Sequence, residues 1–277
     1  MTLEDKKALQ RWSEHHKALA ADVPVEDWMS KRDIEKRRTL LEKDPIAWIQ
    51  YFFPKYAKYD FAPFHVKAIH RVIEHPEWYE VLSWSRELAK STVAMFINMF
   101  LALTKRKRFF VLASATETSA IRLITPYRLN FESNPRLRQF YGNQVTLGAW
   151  TDKDFTARCG AKFVALGAGS APRGARNEEV RPDVIYLDDY DTDEDCRNPE
   201  TLKKKWDWFE GALYPTRSIS EPTLVLWCGN IIAKDCCIKR AGERAKHWDI
   251  VNIRDKNGKS TWPQKNTEEQ IDTVLAN

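Results

Sequence analysis

Residues 81–93, reading VLSWSRELAKSTV, constrain this chain more than any other stretch. Apolar residues suited to the end of a strand give way to a short polar turn. Lys90, Ser91 and Thr92 follow, and then an apolar run over residues 93–103 suited to a buried helix. Strand, loop, Lys-Ser/Thr and helix, in that order, are the layout of a phosphate-binding P-loop. Such a loop turns backbone N–H groups at a helix N-terminus toward phosphates, reaches the β/γ oxygens with an ammonium and holds Mg²⁺ with a hydroxyl. The usual pattern has glycine directly before the lysine and again five residues earlier, where this chain has Ala89 and Trp84. By the glycines alone, the stretch also reads as a buried helix with a Lys-Ser-Thr first turn. The rest of the chain has to decide.

A chain of 277 residues suits one large domain, or one domain with appendages. Its net charge of +5 permits a polyanionic partner without demanding one. No apolar run reaches membrane-spanning length, and the N-terminus does not read as a signal peptide, so a cytosolic chain with no membrane partner is expected. Five cysteines without paired spacing and six scattered histidines argue against a disulfide framework and a zinc site, and predict buried, reduced thiols.

Taken in order, residues 3–43 read as charged helices broken at Val23-Pro24, and Asp44-Pro45 starts a third helix over 46–53. An aromatic-Pro-aromatic turn then enters a helix about twenty residues before Lys90. His65 stands where helicase-like ATPases use a glutamine to read the adenine edge, with Phe64 or Phe61 able to stack on the base; a packed histidine is the alternative. After the lysine helix come a basic turn at 105–108, an apolar strand at 109–114 and a helix starting at about Glu117. Residues 122–138, with four arginines, read as a loop. Two short strands, 144–150 and 162–166, flank a polar turn, and a small-residue loop carrying Arg173 and Arg176 follows. Val184 to Leu187 is an apolar strand that ends in Asp188 and Asp189. This is a Walker B layout: one carboxylate holds Mg²⁺ through its water shell, the next orients the attacking water. An amphipathic helix over 199–214 precedes a buried strand, 223–228, that ends in Gly229-Asn230. Asn230 could sense a γ-phosphate, or simply make a turn. A final strand, 247–253, and a short polar helix close the chain.

A lysine loop, an acid-ended strand and a polar-ended strand, each at the carboxyl end of an apolar run, predict an α/β P-loop NTPase. A mostly parallel central sheet of RecA/ASCE-like type would be flanked by helices and preceded by a helical extension. The expected divisions are 1–58 for the helical region, 59–255 for the ATPase core and 256–277 for a C-terminal linker.

The details resemble the large terminase subunits of tailed bacteriophages. The loop over residues 85–92 resembles the terminase Walker A, ASATETSA over 113–120 is similar to the segment after the family's second strand, and PRGAR over 172–176 followed by RPDVIYLDD over 181–189 is the most specific match. DPIAWIQYFF over 44–53 and Trp262-Pro263 are weaker echoes, and the resemblance covers about residues 44–265. It implies an Mg²⁺-dependent ATPase driving double-stranded DNA into a procapsid in the host cytoplasm, as a homo-oligomeric ring with a small terminase subunit and a portal protein as partners. ATP would lie on Ser85, Arg86, Glu87, Leu88, Ala89, Lys90, Ser91 and Thr92. Lys90 would contact the β/γ phosphates, Ser91 or Thr92 the metal, and Arg86 would be an arginine finger acting in cis. Asp188 would be the metal ligand. Asp189 stands where the family usually has a glutamate, with Glu194 a less favoured substitute. Asn230 would couple hydrolysis to movement, and Arg173 or Arg176 would reach a neighbouring subunit. The family's C-terminal nuclease has no counterpart in these residues, so an ATPase domain that does not cut DNA is expected. Two other classes stay open: a helicase-like or other P-loop translocase, and a nucleotide-independent module that binds DNA or a capsid partner.

Overall fold

A computed structural model describes residues 14, 23–172 and 180–276. The elements run α1 (Lys31–Leu41), α2 (Pro45–Phe52), α3 (Pro63–Glu74), β1 (Trp78–Trp84), α4 (Lys90–Leu103), β2 (Phe109–Ser114), α5 (Glu117–Ser133), α6 (Pro135–Tyr141), β3 (Asp154–Thr156), β4 (Lys162–Gly167), β5 (Val184–Asp188), α7 (Asp193–Arg197), α8 (Pro199–Trp208), β6 (Leu224–Cys228), α9 (Cys237–Arg244), β7 (His247–Val251) and α10 (Glu268–Leu275). The strands form one seven-stranded sheet in the order β3-β4-β2-β5-β6-β1-β7. Every pairing is parallel except β3 with β4. No described helix is long and apolar enough to cross a membrane.

The central strands β2, β5 and β6 read as apolar runs because both faces of the sheet are covered there, so neither side of the pleat faces water. Leu82, Phe110, Leu112 and Tyr186 point into one core with α2, α4 and α5. Their alternating neighbours Val81, Phe109, Val111 and Ile185 point into a second core with α8 and α9. Helix α4 is buried at every position from Val93 to Leu103, which places the helix behind the lysine loop at the centre of the molecule. Helix α2 begins as its sequence directs. Asp44 accepts the N–H groups of Ile46 and Ala47 at 3.0 and 3.1 Å, and Pro45 occupies a position that needs no donor.

Four expectations change. Residues 122–138 are helix rather than loop: α5 continues through Pro126 and Asn134 caps α6. Proline removes one rung, but the helix buries Ile124, Tyr127 and Phe131, and Thr125 and Asn130 take the carbonyls of Ile121 and Pro126 with their side chains. Residues 144–150 form no strand. Leu147 is 90% exposed and Gly148 sits at φ 81°, so the antiparallel partner of β4 is the short β3 instead. Helix α8 stops at Trp208 and passes into a π turn, Phe209–Leu213. Helix α9, not anticipated, packs Gly242 against Trp248 of β7. Further along, Trp262 is 5% exposed in the main core, and Arg254 pairs with Glu268 and Asp272.

Candidate active site

In the sheet, β5, β6 and β1 are neighbours, and register puts Asp188 opposite Cys228, and Cys228 opposite Leu82. The polar end of β6 therefore stands between the acid-ended strand and the lysine loop. Carboxyl ends of parallel strands are where open α/β sheets leave room for ligands. A cavity of about 370 Å³ opens there, lined by Arg86, Lys90, Ser119, Asp189, Gly229 and Asn230. Residues separated by up to 144 positions in sequence are thus brought to one site.

The loop itself is tightly shaped. The Ser85 N–H bonds the Val251 carbonyl of β7 at 2.8 Å, and the Leu88 N–H turns back onto the Ser85 carbonyl at 3.3 Å. Glu87 and Ala89 both adopt positive φ, at 70° and 59°, without being glycine. The missing glycine before the lysine has therefore left its conformation behind: Ala89 is left-handed and caps α4. Such a conformation costs a non-glycine residue about 1–2 kcal/mol. Lys90 starts α4, and its Nζ donates to Asn230 Oδ1 at 3.4 Å, so the loop lysine and the asparagine at the end of β6 touch. Ser91 and Thr92 are half-buried in the first turn, whereas Arg86 and Glu87 are exposed at the apex.

Asp188 is buried. Its Oδ2 accepts the Tyr186 hydroxyl at 2.8 Å, and its Oδ1 has no hydrogen-bond partner among the described residues. Burial raises its pKa to about 6, and the neighbouring Asp189 charge adds to the rise. The facing Ser91 hydroxyl, Tyr186 and the Lys90 charge pull the other way. An orphaned carboxylate oxygen beside a serine hydroxyl and an ammonium fits a small cation shared with a phosphate. No group of three or more His, Cys, Asp or Glu side chains that could hold a metal exists among the described residues, so the protein alone supplies an incomplete ligand set. Asp189 is exposed to the cavity at φ 42°, with its N–H on the Cys228 carbonyl at 3.2 Å. Strained backbone of this kind concentrates at functional sites. Glu194 lies exposed on α7 and does not line the cavity. Arg173 and Arg176 lie outside the described residues.

His65 takes a different position from the expected adenine reader. It is fully buried, with the Ala62 N–H donating to Nδ1 at 3.0 Å. A nitrogen that accepts carries no proton, so Nε2 is protonated and donates to the Leu88 carbonyl at 2.9 Å. Burial holds its pKa at about 4, so the ring is neutral. With both nitrogens engaged and Phe64, Trp84 and Trp262 around it, His65 fastens the loop to α3 and has no edge left for a base. Phe64 and Phe61 remain half-buried beside it. The sequence reading missed Lys265, whose Nζ donates to both the carbonyl and the carboxylate of Glu87 at 2.8 Å. It also missed Asp191, whose two oxygens accept the N–H groups of Cys237 and Ile238 at the start of α9, each at 2.9 Å. Neither contact has a local signal in the sequence.

No family model matches the chain, and no curated protein matches it. Among solved structures, it is similar to the large terminase of bacteriophage HK97. The TM-score is 0.55, the identity 16%, and the match covers 78% of this chain and 44% of that one. Over the matched residues the two share one fold. This chain thus matches less than half the length of the HK97 protein. The large terminase ATPase domain of Thermus phage P74-26 superposes at TM-score 0.48 with 15% identity, covering 82% of this chain and 90% of that one. For dbp5 of S. cerevisiae the values are 0.45 and 10%, over 77% and 53%.

Proposed function

We propose that the chain hydrolyses ATP to drive double-stranded viral DNA into a procapsid. The observation that carries this reading is the convergence of Lys90, Asp189 and Asn230 on one cavity at the ends of three adjacent strands, with Asp188 buried directly behind. Lys90 would leave Asn230 for the β/γ oxygens of bound ATP. Arg86, exposed at the loop apex, would fold onto the γ-phosphate, and Phe64 or Phe61 would stack on adenine. Ser91, or Thr92, with Asp188 would hold Mg²⁺, which when bound supplies charge neutralisation on the phosphate oxygens. Asp189 would orient the attacking water, and Asn230, released from Lys90, would report the state of the γ-phosphate to β6 and α9. Arg173 or Arg176 would act on a neighbouring subunit of a ring assembled on a portal, with a small terminase subunit delivering DNA.

The test is phosphate release by the purified chain with Mg²⁺ and DNA, beside Lys90→Ala. Turnover should fall to background in the variant, since in this scheme the ammonium bridges the β and γ phosphates and Arg86 reaches the γ-phosphate alone. Hydrolysis at the parental rate by Lys90→Ala would remove the loop from the mechanism.

A further inference from the structure

The phosphate loop has lost the two glycines that usually shape it, yet it holds two left-handed residues, Glu87 and Ala89. Something outside the loop has to impose that shape. Two side chains bind successive loop carbonyls from outside. Lys265 Nζ donates to the Glu87 carbonyl and also to its carboxylate. His65 Nε2 donates to the Leu88 carbonyl. The two donors form one unit: the Trp262 ring packs on His65 with centroids 4.5 Å apart, and Lys265 Nζ lies 5.2 Å from the centre of the same indole. The unit is anchored in turn, because Trp262 Nε1 donates to the Asp60 carbonyl at 2.8 Å. Across a trans peptide, a carbonyl and the next N–H point in opposite directions. Fixing the Leu88 carbonyl on His65 therefore turns the Ala89 N–H away from the His65 side.

We propose that Lys265 and His65, joined through Trp262, are positioning residues that preset the phosphate loop and replace the conformational role of its missing glycines. Neither touches substrate. This rests on the nucleotide reading above for its consequence, but not for its structural content. Without the clamp, Glu87 and Ala89 relax to negative φ, and a phosphate has to pull the loop back. Lys265 is a partly exposed side chain, so its replacement leaves the core intact.

The experiment pairs hydrogen exchange with nucleotide binding, on the full chain and on Lys265→Met, Ala89→Gly and their double variant. In Lys265→Met, amides of residues 85–89 should exchange about tenfold faster while the unfolding midpoint holds. The affinity for ATP with Mg²⁺ should fall about tenfold, equivalent to about 1.4 kcal/mol. Ala89→Gly in the same chain should restore most of that affinity, because glycine adopts the left-handed conformation freely. A residue that merely stabilised the fold would lower the unfolding midpoint and would not be suppressed by Ala89→Gly. Unchanged loop exchange in Lys265→Met overturns the clamp. Faster exchange in a chain that binds no ATP upholds the clamp and overturns the nucleotide reading instead.

Discussion

Asp188 shows how a single residue can be expensive to the fold at the place where the proposed function asks for a carboxylate. Its carboxyl has a pKa of about 6 in the folded protein against 3.8 for the ordinary group. Between those values the folded state binds more protons than the unfolded one. Stability from this group therefore falls as pH rises from about 4 to about 6, and the penalty is complete at neutral pH. Asp188→Asn should remove the penalty and keep an acceptor for Tyr186. Its urea midpoint at pH 7 should correspond to a gain on the order of 3 kcal/mol, shrinking toward zero by about pH 4. Phosphate release should disappear in the same variant. His65 acts with the opposite sign: its folded pKa of about 4 lies below 6.5, so its contribution is lost as pH falls through that interval. In Asp188→Asn that loss is no longer offset by Asp188, and the variant should weaken more steeply on acidification than the parent. A variant no more stable than the parent at pH 7 would mean that the buried carboxylate is compensated by another group.

At the scale of elements, the sheet edge and the acid loop are both set by α9. Asp191, two residues after Asp189, caps α9 with two carboxylate contacts, so the segment carrying Asp188 and Asp189 is tied to the helix beyond Gly229 and Asn230. The other side of α9 lies on β7. A Cβ added at Gly242 would stand 2.3 Å from the Trp248 ring, and Trp248 Nε1 donates to Ser83 of β1 at 2.8 Å. Gly242→Ala must therefore push the helix or break that bond. It should cost about 1–3 kcal/mol in urea unfolding, as overpacking of interiors does. A midpoint equal to the parent's would show that the indole can move aside freely.

At the scale of the whole molecule, the two cores on opposite faces hold the sheet rigid, while the cavity lies at one end of it. With a net charge of +5, a duplex bound as proposed would be held chiefly through its phosphates. Binding that neutralises even two phosphates should weaken about tenfold between about 50 and 200 mM salt. Fluorescence anisotropy with a labelled duplex measures this, and affinity flat across that range would exclude a backbone-contacting role.

The sequence by itself determined the sheet and the ends of its central strands. Strands covered on both faces are written as continuous apolar runs, and the polar residues that stop them, Asp188-Asp189 and Gly229-Asn230, are local and legible. The first turn of α4 at Lys90 is equally local, because a strand, a turn and a lysine-started helix are contiguous in the chain. Only the tertiary structure decided what bends the loop. Ala89 does not announce a left-handed conformation as glycine does, and its support comes from Lys265 and His65, the first lying 176 positions away. The same holds for α5, which survives Pro126 through the burial of Tyr127 and Phe131, and for β3, whose place was set by pairing with β4. For the loop and for α5 the deciding contacts join residues distant in sequence, and their energy exists only once the chain has packed.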